Sequence, residues 1–174
     1  LCLGYTAPPL RFSYRGLGEI DVGITHGFLV ILLGYILQGG QWSDSLPWLI
    51  ALPLCLAIIP AIILANIPDR VADDQSGKGT LAVRLGNQGA AILACGVAFT
   101  AVAVTGVNSF LPQTLGLLNW LVWPALAHAV LLFWMAQRFI RRGSVDGRMD
   151  GLIALALAFI GWFLLIPAWH LFLR

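Results

Sequence analysis

"PWLIALPLCLAIIPAIILANIPDRVADDQSGKGTLAVRLG", Pro47 to Gly86, changes character at Asn66. Before Asn66 there is no charged residue over a length that, at about 1.5 Å of rise per helical residue, crosses roughly 30 Å of hydrocarbon. After it come Asp69, Asp73, Asp74, Arg70, Lys78 and Arg84, in a chain where only 10% of residues are charged. Continuous rather than alternating apolarity selects a helix over a barrel strand, and only those two structures satisfy the backbone inside a bilayer.

The same pattern recurs outward from this stretch. Spans are expected at about Ile20–Gln38, Pro47–Asn66, Gln88–Val107, Thr114–Ala136 and Leu152–Leu173, joined by short links rich in Gly, Pro, Asn and charge. A composition that is 59% apolar, with a mean hydropathy of +0.87, fits this and excludes an ordinary soluble domain. The fold expected is all-α: one polytopic transmembrane helical bundle of about five spans over residues 1–174. No Lys/Arg run points to nucleic acid. Cys2, Cys55 and Cys95 are odd in number and widely spaced, and read as small apolar fillers.

Orientation follows from the basic residues. Arg11, Arg15, Arg70, Lys78, Arg84, Arg138, Arg141, Arg142 and Arg148 fall on one side and Arg174 alone on the other. The 67–87 and 137–151 loops are therefore expected in the cytoplasm, and the 39–46 and 108–113 loops opposite. Trp42, Trp48, Trp134 and Trp169 fall near span ends, as an aromatic belt does.

Asp69 and Asp73 are four apart, and Asn66 lies three before Asp69. If the helix continues past Asn66, all three share a face. Two carboxylates at that spacing repel each other unless a cation joins them. Mg²⁺ characteristically takes one or two carboxylates, keeps waters, and completes its shell with substrate phosphates. Lys78 and Arg84 follow as phosphate-binding cations, and Pro68 is expected to weaken the helix just before the acids. The competing reading is a solvated connector that sets topology. A P-loop is excluded, because Gly79 follows Lys78 and Ala72 stands where the first Gly belongs. Zinc is disfavoured with no His or Cys beside the acids. Glu19 and Asp21 are read as caps of a helix N-terminus. His26 and His128 are read as neutral imidazoles bonded to neighbouring helices. Phe28, Phe99, Trp120, Trp123, Phe133 and Trp162 are read as packing and lipid contacts.

"ANIPDRVADDQSGKGTLAVRLG" resembles the second aspartate motif of the UbiA-type intramembrane prenyltransferases. Asn66, Asp69, Asp73, Gly77, Lys78, Thr80, Leu81, Arg84 and Gly86 occupy the motif positions. Gly79 departs from the larger residue common there. "GYTAPPLRFSYRGLGEIDVG" (residues 4–23) resembles the loop before that family's fifth helix, especially in the branch that prenylates 1,4-dihydroxy-2-naphthoate. The resemblance implies a nine-helix fold around a cavity, with two acid motifs holding Mg²⁺ on a polyprenyl diphosphate. An aromatic acceptor is alkylated as a step of quinone biosynthesis, in a bacterial-type inner membrane. Asp69 and Asp73 are then the metal ligands, Lys78 the diphosphate partner, and Asn66 an orienting group. Arg84, and Arg11 and Arg15 from the loop, are additional substrate contacts. Five spans match the family's last five, and no N-D-x-x-D-x-x-x-D pattern occurs. The expectation is a C-terminal portion that is inactive without N-terminal helices, Asp146 and Asp150 being the only other spaced acid pair. The alternatives are an inactive isoprenoid-binding homologue or a transporter fragment. CDP-alcohol phosphotransferases are excluded by their missing punctuation around the acids.

Overall fold

Every long apolar run becomes a helix. Phe12–Arg15 forms a single turn, α1. Helix α2 (Gly18–Val22), a π-helical segment (Gly23–Leu29) and α3 (Val30–Leu37) then run on as one apolar rod. They are followed by α4 (Ser45–Gln75), α5 (Leu81–Asn108), a 3₁₀ turn (Pro112–Thr114), α6 (Asn119–Arg142) and α7 (Asp150–Phe172). The computed structural model describes residues 3–114, 119–142 and 149–172, apart from the side chains of 113 and 166–172. Among the described residues there is no strand. Gly18–Leu37, α4, α5 and α6 are long and apolar enough to cross a membrane, and α7 is apolar over Asp150–Leu165. The polytopic helical bundle expected from the sequence is what forms.

The boundaries depart from expectation where polar residues were assigned to loops. Helix α4 does not stop at Asn66. It has 31 residues and is thus about 46 Å long against a hydrocarbon core of roughly 30 Å. Residues 66–75 therefore form a helical extension beyond the span, and the link between α4 and α5 shrinks to 76–80. Pro68 does not end this helix, and neither do Pro53 and Pro60. Each removes one N–H from the ladder, so one carbonyl a turn earlier needs another partner. For Pro53 that carbonyl is Leu49 O, and the buried Asn108 side chain on α5 donates to it at 2.9 Å. Thr114 sits in the 3₁₀ turn rather than in α6, which is described over Asn119–Arg142 and so runs past Ala136.

Small residues set how closely the helices approach. Ala90, Ala94, Ala98 and Ala101 are fully buried along one stripe of α5, facing a core that includes Ala57, Ala61, Ile63 and Leu64 of α4. In lipid, where apolar burial gives little driving force between helices, such stripes let backbones pack closely. The π-helical segment does the same with Gly23 and Gly27. A Cβ on Gly27 would lie 2.5 Å from Cys55 Cα, and one on Gly23 would lie 2.8 Å from Ile59 Cγ1. The G-x-x-x-G spacing in "GITHG" is the sequence signal for this approach. Cys55 and Cys95 are free and buried, as fillers should be.

Candidate functional site

The site is built on the extension of α4. Asn66, Asp69 and Asp73 follow one another along one face, but their surroundings differ. Asn66 is half-buried, Asp69 is exposed and Asp73 is 7% exposed. Asp74, off that face, is exposed.

Asp73 is covered because of how the helix ends. Gly77, at φ 73°, takes the left-handed conformation that glycine adopts without a Cβ penalty. Its N–H reaches Asp74 O at 2.9 Å, and the Lys78 N–H reaches Asp73 O at 2.9 Å. That pair of bonds is a Schellman stop, which satisfies the last carbonyls and turns the chain back over the helix. Lys78 Nζ thereby donates to Asp73 Oδ1 at 2.9 Å. The hydrogen bond and charge of Asp73 push the Lys78 amine above its ordinary value.

A second layer comes from the N-terminal segment. The N–H groups of Phe12 and Ser13 donate to Gly4 O and Tyr5 O, each at 3.0 Å, and Ser13 Oγ donates to Tyr5 O at 2.8 Å. This closes a loop that carries Tyr5 into the acid cluster. Partial burial, followed by the nearby charge of Glu19, pushes the Tyr5 phenol up from its ordinary value, with the Lys78 charge opposing.

Glu19 is the residue that sequence reasoning misjudged in part. It was expected to cap a helix, and it does so, but the helix is not its own. It is 1% exposed in the first turn of α2, and its Oε1 accepts from Leu81 N, the first residue of α5, at 2.8 Å. Leu81 opens a short helical turn that Gly86, at φ 69° and ψ 172°, separates from the rest of α5, and the carboxylate satisfies the first N–H of that turn. The same oxygen accepts from Asn66 Nδ2 at 3.0 Å. The Thr80 hydroxyl oxygen takes the Val83 N–H, completing the α5 cap. The available signal was an acidic residue opening an apolar span, which places it at the same membrane edge as the motif.

The arginines lie outside the pair. Arg84 Nε donates to Gly79 O at 2.8 Å, and its guanidinium lies over Gly16 and Gly79. Arg84 thus braces the 76–80 link against the N-terminal loop. Gly79 is required by that contact, since a Cβ there would fall 2.7 Å from Tyr14 O. Arg11 stacks 4.8 Å over the Tyr14 ring, and Arg15 donates to Pro9 O at 3.0 Å. Both are exposed, and neither pairs with an acid among the described residues.

Among the described residues, no group of three or more His, Cys, Asp or Glu side chains forms a metal cage. The donor set instead fits a cation that takes one or two carboxylates and completes its shell with waters and phosphate oxygens, as Mg²⁺ does. Of the histidines, His128 behaves as expected. Trp162 Nε1 donates to its Nδ1 at 3.0 Å, so Nε2 carries the proton, 2.8 Å from Leu155 O on α7. His26 does not, because its Nδ1 contacts Val22 O and Thr25 Oγ1 of its own helix and it is exposed. Trp120 and Trp123 face outward, while Phe99 and Phe133 pack edge-to-face. A cavity of about 320 Å³ opens between α5 and α6, lined by Cys95, Phe99, Phe133 and Gln137, away from the acid motif. Cys2, Asp146, Arg148, Leu173, Arg174 and the side chains of Trp169 and His170 lie outside the described residues.

Residues 1–149 match the UbiA prenyltransferase family, and the chain belongs to it. It is 30% identical over 104 residues to a 1,4-dihydroxy-2-naphthoate octaprenyltransferase of Bacillus subtilis, covering 59% of this chain and 33% of that protein. It is 41% identical over 91 residues to a 2-carboxy-1,4-naphthoquinone phytyltransferase of Synechocystis, covering 49% and 28%. It is 34% identical over 86 residues to UbiA prenyltransferase domain-containing protein 1 of Dictyostelium discoideum, covering 49% and 26%. The matches span about a quarter to a third of the length of these relatives. No solved structure matches the chain significantly. Its apolar helices and this family membership make it an integral membrane protein.

Proposed function

We propose that this chain forms the diphosphate-binding half of an enzyme that transfers a prenyl group from an isoprenoid diphosphate to an aromatic, quinone-type acceptor. The observation that carries this is the arrangement of Asn66, Asp69 and Asp73 on one helical extension, with Lys78 folded back onto Asp73. The naphthoate and naphthoquinone substrates named for two relatives favour a dihydroxynaphthoate-like acceptor.

Mg²⁺ held by Asp69 and Asp73 would neutralise charge on the leaving diphosphate. Lys78 exchanges its bond to Asp73 for a diphosphate oxygen as the substrate enters, and so supplies positive charge where the allylic C–O bond breaks. Diphosphate leaves with the electron pair. A ring carbon of the acceptor forms the new C–C bond, and the ring recovers aromaticity by losing the substituent on that carbon. Asn66 would orient the bound oxygens, and Arg11 and Arg15 would meet the substrate's outer charge. Arg84 acts as a brace. A second acid motif, from polypeptide outside these 174 residues, faces this one, and both lie at the cytoplasmic surface of a bacterial-type inner membrane. One carboxylate pair supplies too few ligands to balance a diphosphate in a dry cavity, so the 174-residue chain by itself is inactive.

The test uses the full-length protein in detergent or nanodiscs with a prenyl diphosphate, Mg²⁺ and dihydroxynaphthoate. Asp69→Asn and Asp73→Asn should each reduce turnover at least about 100-fold, the scale on which losing a metal or its electrostatic equivalent acts, with folding intact. Asp74→Asn should stay close to wild type. Equal tolerance at all three positions would return the motif to a solvated connector.

A further inference from the structure

Residues 66–80 account for the acid pair and its lysine, but not for the buried carboxylate beneath them. Glu19 brings three segments together on one atom. Its Oε1 accepts from Asn66 Nδ2 of the α4 extension and from Leu81 N of α5, while its own backbone opens α2. Its Oε2 is buried with no partner among the described residues. We propose that Glu19 is the positioning residue of the diphosphate site. This rests on the reading of residues 66–80 as that site.

Two consequences follow from donor and acceptor chemistry. The first concerns Asn66. The bond runs from Asn66 Nδ2 to Glu19 Oε1, an acceptor oxygen, so the amide turns its NH₂ toward Glu19. That leaves Asn66 Oδ1 as the free end, the atom suited to a cation or to a water bound on it. A partner able to donate as well as accept would permit either orientation of the amide. The second concerns Lys78. The 76–80 link is fixed to α4 at its first half by the bonds from Gly77 N and Lys78 N. At its second half, Glu19 holds the Leu81 N–H. Releasing that N–H leaves the second half of the link held by Arg84 and lets Lys78 shift with it. Among the described hydrogen bonds and ion pairs, Glu19 itself touches neither Asp69 nor Lys78. Its effect is transmitted through Asn66 and the link.

The experiment compares Glu19→Ala, Glu19→Asp and Glu19→Gln in the full-length protein in nanodiscs. It measures KM for prenyl diphosphate, KM for the aromatic acceptor, the Mg²⁺ concentration giving half-maximal rate, binding of magnesium pyrophosphate, and hydrogen exchange of peptides spanning 76–85. Residues that orient metal ligands typically change metal affinity by about 10–100-fold when removed. Glu19→Ala should therefore raise the prenyl diphosphate KM and the Mg²⁺ requirement at least about ten-fold, with the acceptor KM unchanged and exchange at Leu81 faster. Glu19→Asp, one methylene too short to reach both donors, should do the same with the melting temperature retained. It keeps the test informative if the alanine variant does not fold. Glu19→Gln keeps an acceptor oxygen for Leu81 and should preserve protection there, but because its side chain can donate as well as accept it should restore the Mg²⁺ requirement only in part.

Faster Leu81 exchange with unchanged diphosphate and Mg²⁺ parameters would overturn the proposal, as would equal losses in every parameter including the acceptor KM. If the wild-type protein transfers no prenyl group, the enzymatic reading fails separately. Glu19 is then judged by magnesium pyrophosphate binding and exchange, and unaltered binding in Glu19→Asp counts against it.

Discussion

At the scale of single residues, the Lys78–Asp73 pair and the Gly79 contact each have a measurable signature. The pair binds its proton more tightly folded than unfolded, since Lys78 is pushed above its ordinary value of 10.5 and Tyr5 above 10.0. Stability from groups raised in this way is present in full below the unfolded values and is lost as pH rises through the folded ones. Thermal unfolding should therefore show no loss from these two groups between neutrality and pH 10.0, then a decline above it that is smaller in a Lys78→Met, Tyr5→Phe double variant. Gly79→Ala places a methyl against the Tyr14 carbonyl, which is backbone and cannot rotate away. It should cost about 1–3 kcal/mol, the usual range for overpacking, read as a lower melting temperature and faster trypsin cleavage after Arg15. The sequence made the shared face of Asp69 and Asp73 legible, because helical spacing is local, but not the ion pair that Lys78 makes with Asp73, which depends on the turn at Gly77. It left Gly79 as an unexplained departure, because the atom it avoids belongs to another loop. The contact of the Arg84 guanidinium with Gly16 was hidden for the same reason, since that glycine lies far off in the chain.

The elements repeat this division between local and distant information. Apolar length located all five helices, and the polar residues after Asn66 hid how far α4 continues. A carbonyl freed by a proline can find another partner on a neighbouring helix, and composition cannot show where that partner is. For Pro53 it is Asn108. Side-chain hydrogen bonds between membrane helices average about 0.6 kcal/mol, whereas a bare backbone carbonyl in hydrocarbon costs several. The asparagine matters mainly by preventing that second cost. Asn108→Leu should therefore destabilise strongly in the wild-type background. In a Pro53→Ala background it should be nearly neutral, because the substituted residue would supply its own N–H to Leu49 O. Reversible unfolding in mixed micelles on the four variants checks this, and additive effects would show that the two residues act separately. Gly27→Ala should cost about 1–3 kcal/mol or more, because the added Cβ meets the Cys55 backbone rather than a side chain that can move.

For the whole molecule, the basic residues and the helix directions lead to one arrangement. The 76–80 link and the end of α6 lie at the same end of the bundle, and the basic bias proposes that end as cytoplasmic. Arg138, whose guanidinium stacks 3.5 Å over Trp134 near that end of α6, fits the interfacial placement of such pairs. Single cysteines at Lys78 and Gln41 should label from opposite faces of sealed vesicles, and labelling from the same face would refute the topology. What no single-chain pattern made visible was the Glu19 clasp, whose partners lie 47 and 62 residues further along. That separation has a consequence for biogenesis. Synthesised first, Glu19 reaches the membrane surface long before Asn66 and Leu81 leave the ribosome, and until then only water can solvate its charge. The rod that begins at Gly18 must therefore wait at the interface with its acid hydrated, and the clasp closes only after the start of α5 has been made. A ribosome stalled before Leu81 should leave Glu19 open to carbodiimide modification, and one stalled after α5 has inserted should protect it.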